Sequence, residues 1–68
     1  GKVECIDCIE SAVAELNGFE GFLAGNVIKY VFRFKRKNGK EDLQKAEWYL
    51  SKLMEVQEDN EQEDNENE

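Results

Sequence analysis

The sequence predicts an all-α domain of three short helices that form a small bundle. Homo-oligomerisation is expected to complete that bundle, and a disordered acidic C-terminal tail to follow it. Three observations lead there. Apolar residues recur at helical spacing in three successive segments. Neither a proline nor a run of strand-like alternation interrupts them. Asn-Gly pairs, Asn17-Gly18 and Asn38-Gly39, stand where the segments meet.

The first helix is expected over Val3 to Leu16, where Ile6, Ile9, Val13 and Leu16 fall on one side with Ala12 beside them. Its outer side carries Glu4, Asp7, Glu10 and Glu15: a solvated acidic face, or partners for a base or a divalent metal. Asn17-Gly18 serves as the stop, since either residue can take the left-handed conformation a helix end uses. The second helix begins near Phe19 or Glu20 and runs to about Arg36. Gly21 and Gly25 each weaken it by roughly 1 kcal/mol relative to alanine. A helix tolerates that where another backbone or a ligand comes close. Lys37 to Lys40 form the next turn, and Glu41-Asp42 suit the start of the third helix. Leu43, Ala46, Leu50 and Leu53 make the seam of that helix, with Asp42, Lys45, Tyr49 and Lys52 as an adjacent stripe and Trp48 next to it.

From Gln57 onward the chain holds seven acids, no base, and otherwise only Asn and Gln. Such a run buries too little apolar surface to offset chain entropy, so residues 57–68 read as the disordered tail and 1–56 as the folded domain. The net charge of −7 belongs to the tail, because residues 1–56 carry nine acids and nine bases. Six of those bases (Lys29, Arg33, Lys35, Arg36, Lys37 and Lys40) crowd into twelve positions.

About 55 folded residues make a marginal core, which directs attention to staples. Cys5 and Cys8 form a C-x-x-C spacing, yet there is no second cysteine pair and no histidine. A structural zinc site wants four ligands, so the pair fails as one unless two chains share it. A redox motif would need a strand-to-helix context. Small half-buried thiols are the plain reading. Oligomerisation is the staple that remains. No stretch is long and apolar enough to span a membrane and no signal peptide is visible, which predicts a cytoplasmic protein. Gly1 in place of Met predicts a tag scar or a trimmed start, with native N-terminal residues missing.

The second helix carries the chemistry. At 100° per residue Phe22, Asn26, Lys29, Tyr30, Arg33 and Lys37 share one face, while Ala24, Val27, Ile28, Val31 and Phe32 lie around the other. A stripe of amide, ammonium, phenol and guanidinium fills a core poorly and holds an anion well. Lys29 and Arg33 stand one turn apart for phosphate. Asn26 can read a base edge or a phosphate, and Tyr30, Trp48 or Tyr49 can stack on a base. The competing roles are equally physical. Lys29 and Arg33 can be consumed by ion pairs with Asp42 or the acids of the first helix. Lys35, Arg36 and Lys37 can be a solvated basic helix end, and the aromatics can be core or subunit-interface residues. Nucleic acid is a poor partner, since the acidic tail repels a polyanion.

Nucleophilic catalysis has little to draw on. With no histidine, neither a Cys-His nor a Ser-His pair is possible, and no glycine-rich phosphate loop is present. No catalytic residue, cofactor or resident metal is therefore assigned. The enzyme alternative is a nucleoside-monophosphate kinase or a metal-dependent nucleotide hydrolase, with Asp7, Glu10, Glu41 or Asp42 holding Mg²⁺.

Gly25-Asn26-Val27-Ile28-Lys29-Tyr30, then Arg33, then Lys37-x-Gly39-x-Glu41-Asp42-Leu43-x-Lys45-Ala46-x-Trp48-Tyr49-Leu50, resembles a small bacteriophage family. That family is catalogued as a domain of unknown function, sometimes labelled SaV-like, and also occurs in a phage nucleotide kinase. Glu4-Cys5-Ile6-Asp7-x-Ile9-Glu10 is similar to its opening, so the likeness covers about residues 3 to 53. A His-Tyr segment usual just upstream is absent here. The resemblance implies a phage protein acting on nucleotides in the cytoplasm of an infected bacterial host. Small helical phage proteins of this kind include anti-CBASS sponges, which capture cyclic nucleotide signals without cleaving them. Carried over by position, Asn26, Lys29, Tyr30, Arg33 and Lys45 are the expected ligand contacts, and Lys37, Trp48 and Tyr49 complete the expected ligand-binding set. A cyclic nucleotide held in pockets between subunits is the expected partner.

Overall fold

In a computed structural model the backbone is described for residues 4–66 and the side chains for residues 4–62. Three helices follow one another: α1 over Cys5–Val13, α2 over Gly18–Arg33 and α3 over Lys40–Glu66. The described residues include no strand, so the all-α expectation holds. The expectations for Gly1 and for a first helix starting at Val3 lie outside the described residues.

The junctions differ from the sequence reading in instructive ways. α1 stops at Val13 rather than Leu16, and Leu16 N–H closes a turn onto Val13 O at 3.0 Å. Asn17 does not end α1 in a left-handed conformation. It starts α2 instead, its side chain accepting from Glu20 N–H at 2.8 Å while Glu20 Oε1 accepts from Asn17 N–H at 3.3 Å. Two orphan amides are satisfied reciprocally by this capping box. Replacing Asn17 with alanine is expected to destabilise the fold by about 1 kcal/mol; a thermal melt followed by circular dichroism reads it.

α2 ends at Arg33, before the expected Arg36, and Lys37 therefore belongs to the turn. Lys37 N–H reaches Arg33 O at 3.0 Å and Gly39 N–H reaches Phe34 O at 2.8 Å, which satisfies carbonyls at the end of α2. Gly39, at φ +53°, is the one positive-φ residue among those described, so half of the Asn38-Gly39 expectation holds.

The larger correction concerns the far end of α3. A disordered tail from Gln57 is expected, yet α3 continues past Val56 to Glu66. Glu and Gln are good helix formers, and local bonds offset part of the like-charge repulsion. Gln57 Nε2 donates to Glu61 Oε1 at 3.1 Å. Asn60 Nδ2 donates to Glu20 Oε2 at 3.0 Å, tying the extension back to the start of α2. Residues 67–68 lie outside the described residues.

α2 is the central element. It packs against α1 on one side and α3 on the other, and among the described residues α1 and α3 do not meet. Gly21 and Gly25 let α1 approach: a Cβ on Gly25 would stand 3.2 Å from Ile9 Cγ2, and one on Gly21 3.6 Å from Val13 Cβ. Of the two roles open to Gly25, close helix packing is the one observed. The arrangement is thin, 47 × 27 × 14 Å, and little of it is sealed. Among the described residues Leu23 and Ala46 are the only buried apolar ones, while Asp42 is a buried charge.

Candidate functional site

The α2–α3 seam is aromatic and cationic. Tyr49 of α3 stacks on Tyr30 of α2 with ring centroids 5.9 Å apart and planes 17° from parallel. Phe22 meets the Tyr49 ring edge-on at 5.9 Å, and Trp48 does so at 5.1 Å. Such pairs favour these offset and edge geometries because ring edges are positive and ring faces negative. Three cations gather about the electron-rich ring of Tyr30: Lys29 Nζ at 4.4 Å, Arg33 Cζ at 5.0 Å and Lys45 Nζ at 5.5 Å from the centroid. The seam therefore draws together six residues of the expected set: Lys29, Tyr30, Arg33, Lys45, Trp48 and Tyr49.

Their availability differs. Arg33 Nε donates to Asp42 Oδ2 at 3.2 Å, and Asp42 is shielded from solvent while the Arg33 side chain remains 37% exposed. Asn38 completes the carboxylate's shell, its backbone N–H at 3.2 Å and its Nδ2 at 3.4 Å. Burial pushes the Asp42 carboxyl upward. The bonds from Arg33 and Asn38, with the guanidinium charge, outweigh that and hold it below the ordinary carboxylate value. Asp42 thus holds the guanidinium through Nε, and the Arg33 side chain stays partly open to solvent. Lys45 Nζ lies 3.5 Å from Glu41 Oε1 in a half-exposed pair of small energetic weight. Lys29 has no carboxylate within ion-pair distance among the described residues. Asn26 spends its amide nitrogen on Phe22 O at 2.8 Å, one turn back in its own helix. The faces of Tyr30 are occupied by Tyr49 and the cations, which leaves Trp48, 61% exposed, as the open one of the three aromatics expected to stack on a base.

Beside this seam, where the start of α1 runs along the end of α2, lies a cleft of about 330 Å³. Lys29, Arg33, Arg36 and Lys37 supply four cations to its wall, Glu4 one acid, and Cys5 and Phe32 the apolar part. Lys37 enters the site here, from the turn rather than from α2. Arg36 was read only as part of a basic helix end. The signal that finds it is topological: an α1–α2 hairpin brings the first residues of α1 against the last of α2. A second depression, about 420 Å³, runs along the outer side of α3 past Gln44, Glu47, Trp48, Ser51, Lys52 and Glu55. Two acids against one lysine suit it poorly to anions. Among the described residues no group of three Asp, Glu, Cys or His side chains is placed to hold a metal ion, and no helix is long and apolar enough to cross a membrane.

Comparison with known proteins gives one match, over residues 1–51, to the family described as protein of unknown function, DUF3310. No curated protein and no solved structure matches the chain.

Proposed function

We propose that this chain, which belongs to the DUF3310 family, is a bacteriophage anti-defence protein that binds and sequesters a cyclic di- or oligonucleotide second messenger without cleaving it. It does so as a homo-oligomer, in the cytoplasm of the infected host. The observation that carries the reading is the cationic wall: Lys29, without an acidic partner among the described residues, Arg33, held through Nε with its side chain 37% exposed, and Arg36 and Lys37 on the same 330 Å³ cleft. Phosphate oxygens match these donors. Trp48 and the aromatic seam offer a surface for a base. The similarity of the Gly25–Tyr30 block to small phage proteins that act on nucleotides supports the ligand class. Asp42, one of the acids a Mg²⁺-dependent enzyme would use, is instead committed to Arg33 and Asn38.

Isothermal calorimetry against a panel of cyclic di- and oligonucleotides tests this. Binding at or below about 10 μM, roughly −7 kcal/mol, is expected for at least one of them. Intact ligand should return after the protein is denatured. Failure of the whole panel to bind at that level overturns the reading. Product that scales with protein concentration replaces it with the kinase or hydrolase.

A further inference from the structure

We infer that Cys5 and Cys8 form a reactive dithiol that exchanges with small anionic disulfides, Cys5 being the attacking sulfur and Cys8 the resolving one. The inference goes beyond nucleotide binding and does not rest on it. From sequence the pair reads as small half-buried thiols, for want of a strand before the helix. The fold gives it a different setting. Both thiols are free and half-buried. Cys5 is the first residue of α1, a nine-residue helix that starts without a side-chain cap, and so stands at the positive end of the helix dipole. It also lines the 330 Å³ cleft, where Lys29, Arg33, Arg36 and Lys37 face one acid, Glu4, among the described residues. Cysteines that react occupy electropositive, partly open places of this kind, often in C-x-x-C pairs, whereas sealed ones are inert.

Charge selects the reactant. The four cations attract the carboxylates of an anionic disulfide and bring its sulfurs to Cys5. The acids beyond residue 56 do not cancel this field. Asn60 bonds to Glu20 at the start of α2, roughly 20 Å along that helix from Arg33, and screening acts within about 8 Å at physiological salt. The Cys5 thiolate attacks one sulfur of the reactant. A bond to Cys5 forms, the reactant's S–S bond breaks, and half of the reactant leaves as a thiolate. During that exchange one negative charge is shared along three sulfurs, which neighbouring cations favour. Cys8 is placed for the second exchange. Residues three apart share a helix face, and their Cα atoms stand about 5 Å apart, within the span a disulfide bridges. The Cys8 thiolate attacks the Cys5 sulfur and releases the other half as a second thiolate. The two protons given up by Cys5 and Cys8 pass through solvent to the two leaving thiolates. The protein loses two electrons and the small disulfide gains them.

Mass spectrometry of the full reduced chain mixed with oxidised glutathione, which is anionic, or with cystamine, which is cationic, tests this. With oxidised glutathione the wild type should lose two hydrogens and keep no adduct. Cys8→Ser should stop at one glutathione adduct, and Cys5→Ser should react about tenfold more slowly or less. Relative to the same chain unfolded in urea, where the cleft is gone, the folded chain should favour oxidised glutathione over cystamine by about tenfold or more. Added salt should erode that preference, and Arg36→Glu combined with Lys37→Glu should remove most of it. A preference no greater than in urea overturns the inference, as does equal reactivity of the two single-cysteine variants. So does a wild type that holds a stable adduct instead of closing the Cys5–Cys8 bond. Should a serine variant fail to fold, fragment mapping of briefly treated wild type decides: a first adduct on Cys5 supports the assignment, and one on Cys8 overturns it.

Discussion

Replacing Asp42 with alanine is expected to lower the melting temperature by roughly 10 °C or more. Asp42 is 0% exposed and receives Arg33 Nε, Asn38 N–H and Asn38 Nδ2. Its loss strands a half-buried guanidinium and frees the turn that joins α2 to α3. The comparison that isolates the pair is the double variant Arg33→Ala, Asp42→Ala, which should lie closer to wild type than the two single losses summed. Acid should act through the same group. Its folded value lies below the ordinary 3.8, so the stability it contributes is fully present above about that pH and is lost as pH falls through the folded value. Asp42→Asn should flatten that part of the acid limb. Denaturant melts of wild type and variant at pH values stepped from neutral into the acid range check both statements. A limb of unchanged steepness in the variant would remove Asp42 from the account.

Lys29→Glu is expected to weaken nucleotide binding by roughly 10- to 100-fold or more, the range for losing a hydrogen bond to a charged group, while leaving the melting temperature near wild type. The separation is the point of the experiment. Lys29 has no acidic partner among the described residues, so its reversal breaks no ion pair, yet it sits at 4.4 Å on Tyr30 and on the wall of the cleft. Arg33→Ala, by contrast, should reduce affinity and stability together. Calorimetry on variants whose circular dichroism matches wild type reads the difference. Equal affinity of Lys29→Glu and wild type would mean that the ligand does not use this face.

The three helices were legible because each presents one apolar stripe with a 3.6-residue period, and that signal is local. Asp42 was legible too, as an acid at a helix start and as a rival partner for Arg33. What escaped depends on contacts between distant residues. Asn60 reaching Glu20 spans forty positions, and no pattern near Gln57 announces that a run of acids will be held helical from outside. Tyr30 and Tyr49 read either as rings that stack on a base or as core or interface aromatics, because stripes on separate helices do not reveal that the two rings face one another. Lys37 and Arg36 show the reverse case. The turn displaced one from its expected face, and the hairpin recruited the other into the cleft.

The scarcity of sealed apolar residues has a consequence for deuterium uptake. With Leu23 and Ala46 as the whole apolar interior of the described residues, an isolated copy has almost no amide shielded by more than its own helix. Slow uptake, wherever it is seen, must be lent by a neighbour or a bound guest. Diluting the sample should then speed labelling across α2 and the first half of α3 together, rather than fraying the ends alone.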